Sequence, residues 1–525
     1  MDPYWDKIMR AVSRLSKIHW LAIVLAMVVG GICIAPYAYF ATRPAYQGVM
    51  LMGQDAEEHY VARIHELYDG YGTTGNTYLP FKDEPYLIPP LGEMIVGAMG
   101  IMLFLSAAQA TVVAKFIFPV LAFLCIYAVG YLFTHKRFAG LLGATLAMLG
   151  NDFMSYPRNA LSLLGGTSMQ DGIYWARPVN PEVSGTVLFL ALAILAHVLQ
   201  KKTMFMWELC ALTLLFGLSI YISPYTWSFL GILLLLVFGW ALWQKNTPLA
   251  KRVFAVGGIG GLIGVPFIFN YLHATQAPGY AAAALHQGAL SSHQPVFGIW
   301  VALLIILPLV WSPKQLWPAR LLFVLSGAGL LLLLNQQVLT GVYLQPGHYH
   351  WYVTKPLVGL LLGIWGVTLL DLFVPKKLWR QVVVGAVICF LLYGAALAQV
   401  NFYHKHAPSA FAAQAYAPLF TYLRTQNQQV IYANEDIATY VPVQTNSDAP
   451  TSEYANMYLA PVGYFDQLQA IQKDPLHANA AQLQKLGITL VVVDVENDTW
   501  RIPGAVFVTT IANRFVVYRM PPSAQ

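Results

Sequence analysis

Residues 53–70 concentrate acid–base chemistry in a chain that is otherwise strongly apolar. Asp55, Glu57, Glu58, His59, Arg63, Glu66 and Asp69 all fall within about four helical turns. A carboxylate at the mouth of such a segment can take a proton from a hydroxyl, and ionisable groups held against a bilayer are costly enough to suggest use. Asp55 carries two readings. It is a catalytic base placed where a lipid-borne head group would arrive, or it is an N-cap, with Glu57, Glu66 and Asp69 as a solvated face. Tyr60, Ile64 and Leu67 recur at helical spacing, so the segment is expected to be a helix lying flat on the membrane. It is followed by Lys82, Asp83 and Glu84 and then by the rigid pair Pro89 and Pro90.

Three further segments hold groups suited to an anionic or sugar ligand. Arg177 sits among Tyr174, Trp175, Pro178 and Pro181, where a guanidinium grips a phosphate by two parallel hydrogen bonds or serves as an interfacial anchor. His348 and His350 stand two residues apart beside Tyr349, Trp351 and Tyr352, with Lys355 following. That set can hydrogen-bond a phosphate or sugar hydroxyl, stack on a sugar face, or form a plain aromatic belt. No nearby acid completes a metal shell, so no metal ligand set is assigned, and a divalent cation stays open as a cofactor. Lys115 lies in the first turns of an apolar stretch, as a phosphate contact or a snorkelling side chain.

The elements that position these groups are membrane helices. Of 525 residues, 57% are hydrophobic and 10% charged, against roughly 25% charged in ordinary soluble domains. Eleven windows are apolar enough to cross roughly 30 Å of hydrocarbon: 20–40, 110–134, 138–151, 183–200, 204–222, 224–243, 253–272, 295–311, 319–337, 353–374 and 381–400. The net charge of +6 is gathered in short loops around Lys136, Lys201, Lys245, Lys314 and Lys376, a positive-inside pattern that argues against nucleic-acid binding. With those loops and the N-terminus cytoplasmic, the spans alternate if residues 91–105 do not cross. Loops 41–90, 152–182, 273–294 and 338–352 and everything after residue 400 are then extracytoplasmic. Lys7, Arg10, Arg14 and Lys17 precede the first span, which lacks an Ala-x-Ala cleavage site and reads as a retained anchor. Cys33, Cys125, Cys210 and Cys389 all lie in apolar stretches, as core residues rather than disulfides or zinc ligands.

The expected fold is mostly α: a polytopic helical bundle over residues 1–400, with the first outer loop at 41–90. A small soluble α/β module is expected over 401–525. Its strands are expected near 428–433, 487–494 and 515–518, the last at an edge, with a helix from Ala478 to Leu486. Mid-bilayer polar residues and pseudo-repeated halves, the marks of a transporter, are not found.

One pattern resembles a family. A first span, a loop opening on Asp55, a Tyr60-Val61-Ala62-Arg63-Ile64 helix, a turn with Lys82 and Glu84 into Pro89-Pro90-Leu91, and an apolar run are similar to the polytopic GT-C glycosyltransferases. Within them the pattern is most like protein O-mannosyltransferases and lipid A aminoarabinose transferases. The resemblance covers roughly the first 180 residues and the architecture. It implies a sugar donor linked to polyprenyl phosphate, a plasma (inner) membrane location, and Asp55 as the catalytic carboxylate. It further implies donor-side roles for Lys82, Glu84 and Lys115, and a second acid in the region of Asp152 or Asp171. The family's compact Glu-Lys-Pro-Pro order is spread here from Lys82 to Pro90. The acceptor, a glycan, lipid or protein, is left open. The alternative reading is a non-enzymatic flippase for a lipid-linked sugar, or a membrane scaffold for polysaccharide assembly.

Overall fold

A computed structural model describes residues 3–72, 75–168, 170–311, 316–474, 479–498 and 502–521; the side chains of residues 3–18, Asp152 and Leu344 are outside that description. Lys314 and Ala478 lie outside the described residues, as do the side chains of Lys7, Arg10, Arg14 and Lys17. Helix dominates, and the chain divides into two compact units. The first comprises Met1–Pro36, Val113–Gly264 and Ser291–Lys405; the second comprises Tyr37–Val112, Val265–Leu290 and His406–Gln525. Each unit is therefore assembled from three separate stretches of chain.

Among the described residues, seven helices are long and apolar enough to cross a membrane, and a bent pair, Thr247–Ile263 with Val265–Thr275, makes an eighth. Three of the eleven expected windows are shorter helices: Arg137–Leu149, Met206–Ser219 and Ile299–Val310. At 1.5 Å per residue a 14-residue helix covers only about 21 Å, so length alone does not carry the count to eleven. Hydropathy windows include apolar flanks that the backbone spends on turns.

Within the first unit, helix α4 (Ala107–Thr134) enters at Val113 and is followed by α5 (Arg137–Leu149). Helix α6 (Lys355–Phe373) packs along α5 through glycines. A Cβ on Gly359 would come 2.6 Å from the backbone of Ala147, and one on Gly143 would come 2.8 Å from Leu360. Gly363 faces Gly143 more closely still. Without water to drive association, close backbone approach of this small-residue kind holds membrane helices together by dispersion. Helix α7 (Lys377–Ala413) follows α6 after a short turn.

In the second unit, α2 (Glu57–Tyr68) packs against α3 (Leu91–Met102), with Gly97 seated on Leu67. At 12 residues, α3 reaches about 18 Å, too short to span. The prediction of a non-crossing segment at 91–105 fits that length. The expected membrane-lying stripe on α2 does not hold: Tyr60 and Ile64 are buried inside the protein, as are Glu57, Arg63 and Glu66. Charges as well as apolar residues turn inward because their partners come from other parts of the unit.

A four-stranded sheet completes this unit: β1 (Ile431–Tyr432), β2 (Leu490–Asp494), β3 (Val506–Ile511) and β4 (Phe515–Arg519), ordered β1-β2-β4-β3. Strand β1 runs parallel to β2, and the other pairs are antiparallel. The strands expected near 428 and 487 appear, as does a helix at Ala480–Lys485. The strand at 515 is central, not an edge, because the unanticipated β3 pairs outside it. The alternation in β3 is blurred by a bulge between Phe507 and Thr509.

Candidate functional site

The acidic segment is organised around two ion-pair braces. Arg63, fully buried, donates from Nε to Glu93 Oε1 at 2.7 Å and from Nη2 to the carbonyls of Ile88 (3.2 Å) and Pro89 (3.1 Å). One guanidinium thereby ties α2 to the double-proline turn and to the first turn of α3. Lys82 places its ammonium 2.7 Å from Glu66, 2.7 Å from Asp448 and 2.8 Å from the Asn76 carbonyl. Burial works against that cation, and the two carboxylates outweigh it, so its pKa is raised. Glu66 and Asp448 are themselves raised by burial, each compensated only in part by the one ammonium they share.

This differs from the expected phosphate contact at Lys82: all three N–H groups are engaged within the protein. Lys82→Gln is expected to lower the stability of the purified protein by about 3–5 kcal/mol, since it strands two buried carboxylates, and Lys82→Gln with Asp448→Asn should recover part of the loss. Thermal unfolding in detergent measures both. Glu84 is exposed in the same turn.

Asp55 lies just ahead of α2 and is exposed. It is not the N-cap, a place taken by Ala56 in the left-handed region at φ 53°. Glu57 satisfies the helix entry instead: its Oε2 accepts from the backbone N–H of Gly53 (2.9 Å) and Gln54 (3.0 Å) and from Tyr37 Oη (3.3 Å). The acid that sequence reasoning passed over is Glu58, which accepts from Tyr454 Oη at 3.3 Å. Burial pushes its carboxyl up to about 7, with the neighbouring Glu57 adding to the rise. The same tyrosine lies within electrostatic reach of Asp55. Behind them, His59 is packed against the rings of Tyr78, Tyr454 and Tyr458 at 5.5–6.3 Å. The available signal was a second acid, Glu58, three residues after Asp55, together with Tyr454 and Tyr458 four apart in the distant tail.

A carboxyl near 7 when folded and about 4.3 when unfolded has a definite linkage sign. The folded state holds the proton through that window while the unfolded state releases it, so stability falls as pH rises from about 4.3 to about 7 and then levels. Glu58→Gln is expected to remove this component of the slope, read as unfolding midpoint against pH.

The cationic and aromatic candidates are in the first unit. Arg177 is almost fully buried, donates to the Asn180 carbonyl (3.2 Å) and to Tyr352 Oη, and lies with its guanidinium carbon 6.0 Å from the Tyr352 ring centre. Tyr174 stacks on Tyr352 at 5.5 Å and touches Trp351. Lys355 lies 3.4 Å over the Trp351 ring and hydrogen-bonds Ser155. A five-residue π-helical turn, His350–Thr354, precedes α6 and sets the directions in which Trp351, Tyr352 and Lys355 project.

His348 stacks on Tyr225 at 4.7 Å and lies 5.1 Å from Tyr352, whereas His350 turns toward Trp351. The two histidines thus belong to different ring contacts. Lys115, fully buried, donates to the Ala176 carbonyl next to Arg177. Tertiary contacts through Ala176, Tyr352, Tyr174 and Trp351 place Lys115, Arg177, His348 and Lys355 in one neighbourhood of the first unit. Asp171 is exposed and ion-paired with Lys405. Asp152 lies on the short helix Asn151–Ser155, and its side chain is outside the described set. Among the described residues, no three His, Cys, Asp or Glu side chains are grouped as metal ligands.

No family model matches the chain, and no curated protein matches it. Among solved structures, the chain is similar to the crystal structure of ArnT from Cupriavidus metallidurans in the apo state, at 14% identity and a TM-score of 0.47, over 97% of this chain and 99% of that one. It is similar also to the structure of that protein bound to undecaprenyl phosphate, at 12% identity and a TM-score of 0.48, over the same shares.

Proposed function

We propose that this protein is an integral membrane glycosyltransferase that moves a sugar from a polyprenyl-phosphate carrier to an acceptor outside the cytoplasm, with Asp55 as the base. The observation that carries the reading is the placement of Asp55: it is exposed just ahead of α2, a helix whose entry and packing are fixed by Glu57, Arg63, Glu93, Lys82 and Glu66. Scaffolding so dense beneath one exposed carboxylate fits a group that must be held still.

In this reading Asp55 takes the proton of the acceptor hydroxyl. The acceptor oxygen forms the new bond at the anomeric carbon while the bond to the phosphate oxygen breaks, and polyprenyl phosphate leaves with the electron pair. Direct attack of this kind inverts the anomeric centre, by analogy with inverting glycosidases. Arg177, Lys355 and His348 are assigned to the phosphate, where fixed donors stabilise charge as it develops, with Lys115 holding the Arg177 backbone in place. The location assigned is the plasma membrane, with the N-terminus cytoplasmic and residues after 400 extracytoplasmic.

Mass spectrometry of lipids that copurify with the protein is the test. A bound polyprenyl phosphate or its glycosylated form is expected, and an assay with that sugar should yield a new glycosidic linkage. Movement of the labelled lipid-linked sugar across vesicles with its linkage unchanged would instead establish the flippase.

A further inference from the structure

The α4–α5 and α6–α7 turns together line an open hollow of about 720 Å³ in the first unit. The charge pattern assigns this end to the cytoplasmic face. Four permanent cations, Lys136, Arg137, Lys377 and Arg380, surround a single carboxylate, Asp371. Asp371 is ion-paired with Lys136 and lies 2.5 Å from Arg380, so one carboxylate is shared by two cations. Among the described residues, Arg137 and Lys377 make no ion pair, and both are exposed.

Each of these two residues also opens a helix, α5 of 13 residues and α7 of 37. Helix N-termini present backbone N–H groups without intrahelical partners and a partial positive charge. Two such ends and an excess of cations at one hollow make a site for a phosphate anion.

The rest of the wall decides which phosphate. Phe138, Val367, Leu370 and Val384 line the cavity on its apolar side. Just outside it, Leu378, Trp379 and Val382 are 68%, 57% and 49% exposed on α7. A free phosphate has no use for such a flank, whereas acyl chains attached to the phosphate would cover it, with Trp379 at the interfacial level. We propose that this cavity binds the head-group phosphate of an anionic membrane phospholipid. The site is separate from the proposed transferase chemistry and does not depend on it.

Native mass spectrometry of the full-length protein, titrated with cardiolipin, phosphatidylglycerol, phosphatidylcholine or inorganic phosphate, tests this. The anionic lipids are expected to bind at least about tenfold more tightly than phosphatidylcholine. Arg137→Gln with Lys377→Gln should lower anionic-lipid affinity by about 30-fold, from about fivefold per juxtamembrane cation. The charge-preserving pair Arg137→Lys with Lys377→Arg should retain it. Equal binding of phosphatidylcholine, or an unchanged affinity in the glutamine pair, would overturn the proposal. Displacement of bound lipid by equimolar inorganic phosphate would overturn the lipid assignment in favour of a soluble anion.

Discussion

Asp55→Asn is expected to abolish sugar transfer while leaving expression, membrane insertion and thermal stability near those of the parent protein. General-base catalysis contributes about 10²–10⁴-fold, so residual turnover should fall by at least that factor. The structure makes the stability half of the expectation sharp, because Asp55 is exposed and does not cap α2. Glu57→Gln offers the contrast. It weakens acceptance from two backbone N–H groups at the helix entry and should cost stability, with activity declining only as the fold does. Transfer assays paired with detergent melting curves separate the two, and unchanged turnover in Asp55→Asn rejects the assignment of the base.

Arg63→Met is expected to destabilise the protein by about 3–5 kcal/mol, the range for breaking a buried ion pair from one side. The change leaves Glu93 buried and orphans the Ile88 and Pro89 carbonyls, so the double-proline turn loses its anchor to α2. The accompanying test is Arg63→Met with Glu93→Leu. Removing both charges should recover a large part of the loss, since a buried pair costs desolvation on both sides and an apolar pair does not. Thermal unfolding of the three proteins gives the coupling. A double variant no more stable than Arg63→Met would show that the carbonyl contacts, and not the ion pair, dominate.

The two braces show where local reading stops. Arg63 and Lys82 stood out in the sequence as cations in a conspicuous segment, and the natural inference for Lys82 was a ligand. What a lysine does depends on what surrounds its ammonium, and here that includes Asp448, from the far end of the chain. Glu58 shows the converse. It looks like one more charge on a helix, yet burial moves its titration up to about 7, against the opposing hydrogen bond from a phenol 396 residues away. The expected membrane-lying helix failed for the same reason: a stripe of Tyr60, Ile64 and Leu67 says that one face is apolar, not whether lipid or protein covers it.

Hydropathy is a sum over neighbouring residues, so the sequence by itself determined that this is a polytopic helical membrane protein with a strand-containing C-terminal region, and it located the acidic segment. Periodicity and composition survive without knowledge of distant partners. Which charges brace and which face solvent, which strand is central, and the packing of Arg177 against Tyr352 were decided only by tertiary structure. Burial, ion pairing and pKa are properties of a three-dimensional neighbourhood, and those neighbours come from hundreds of residues away.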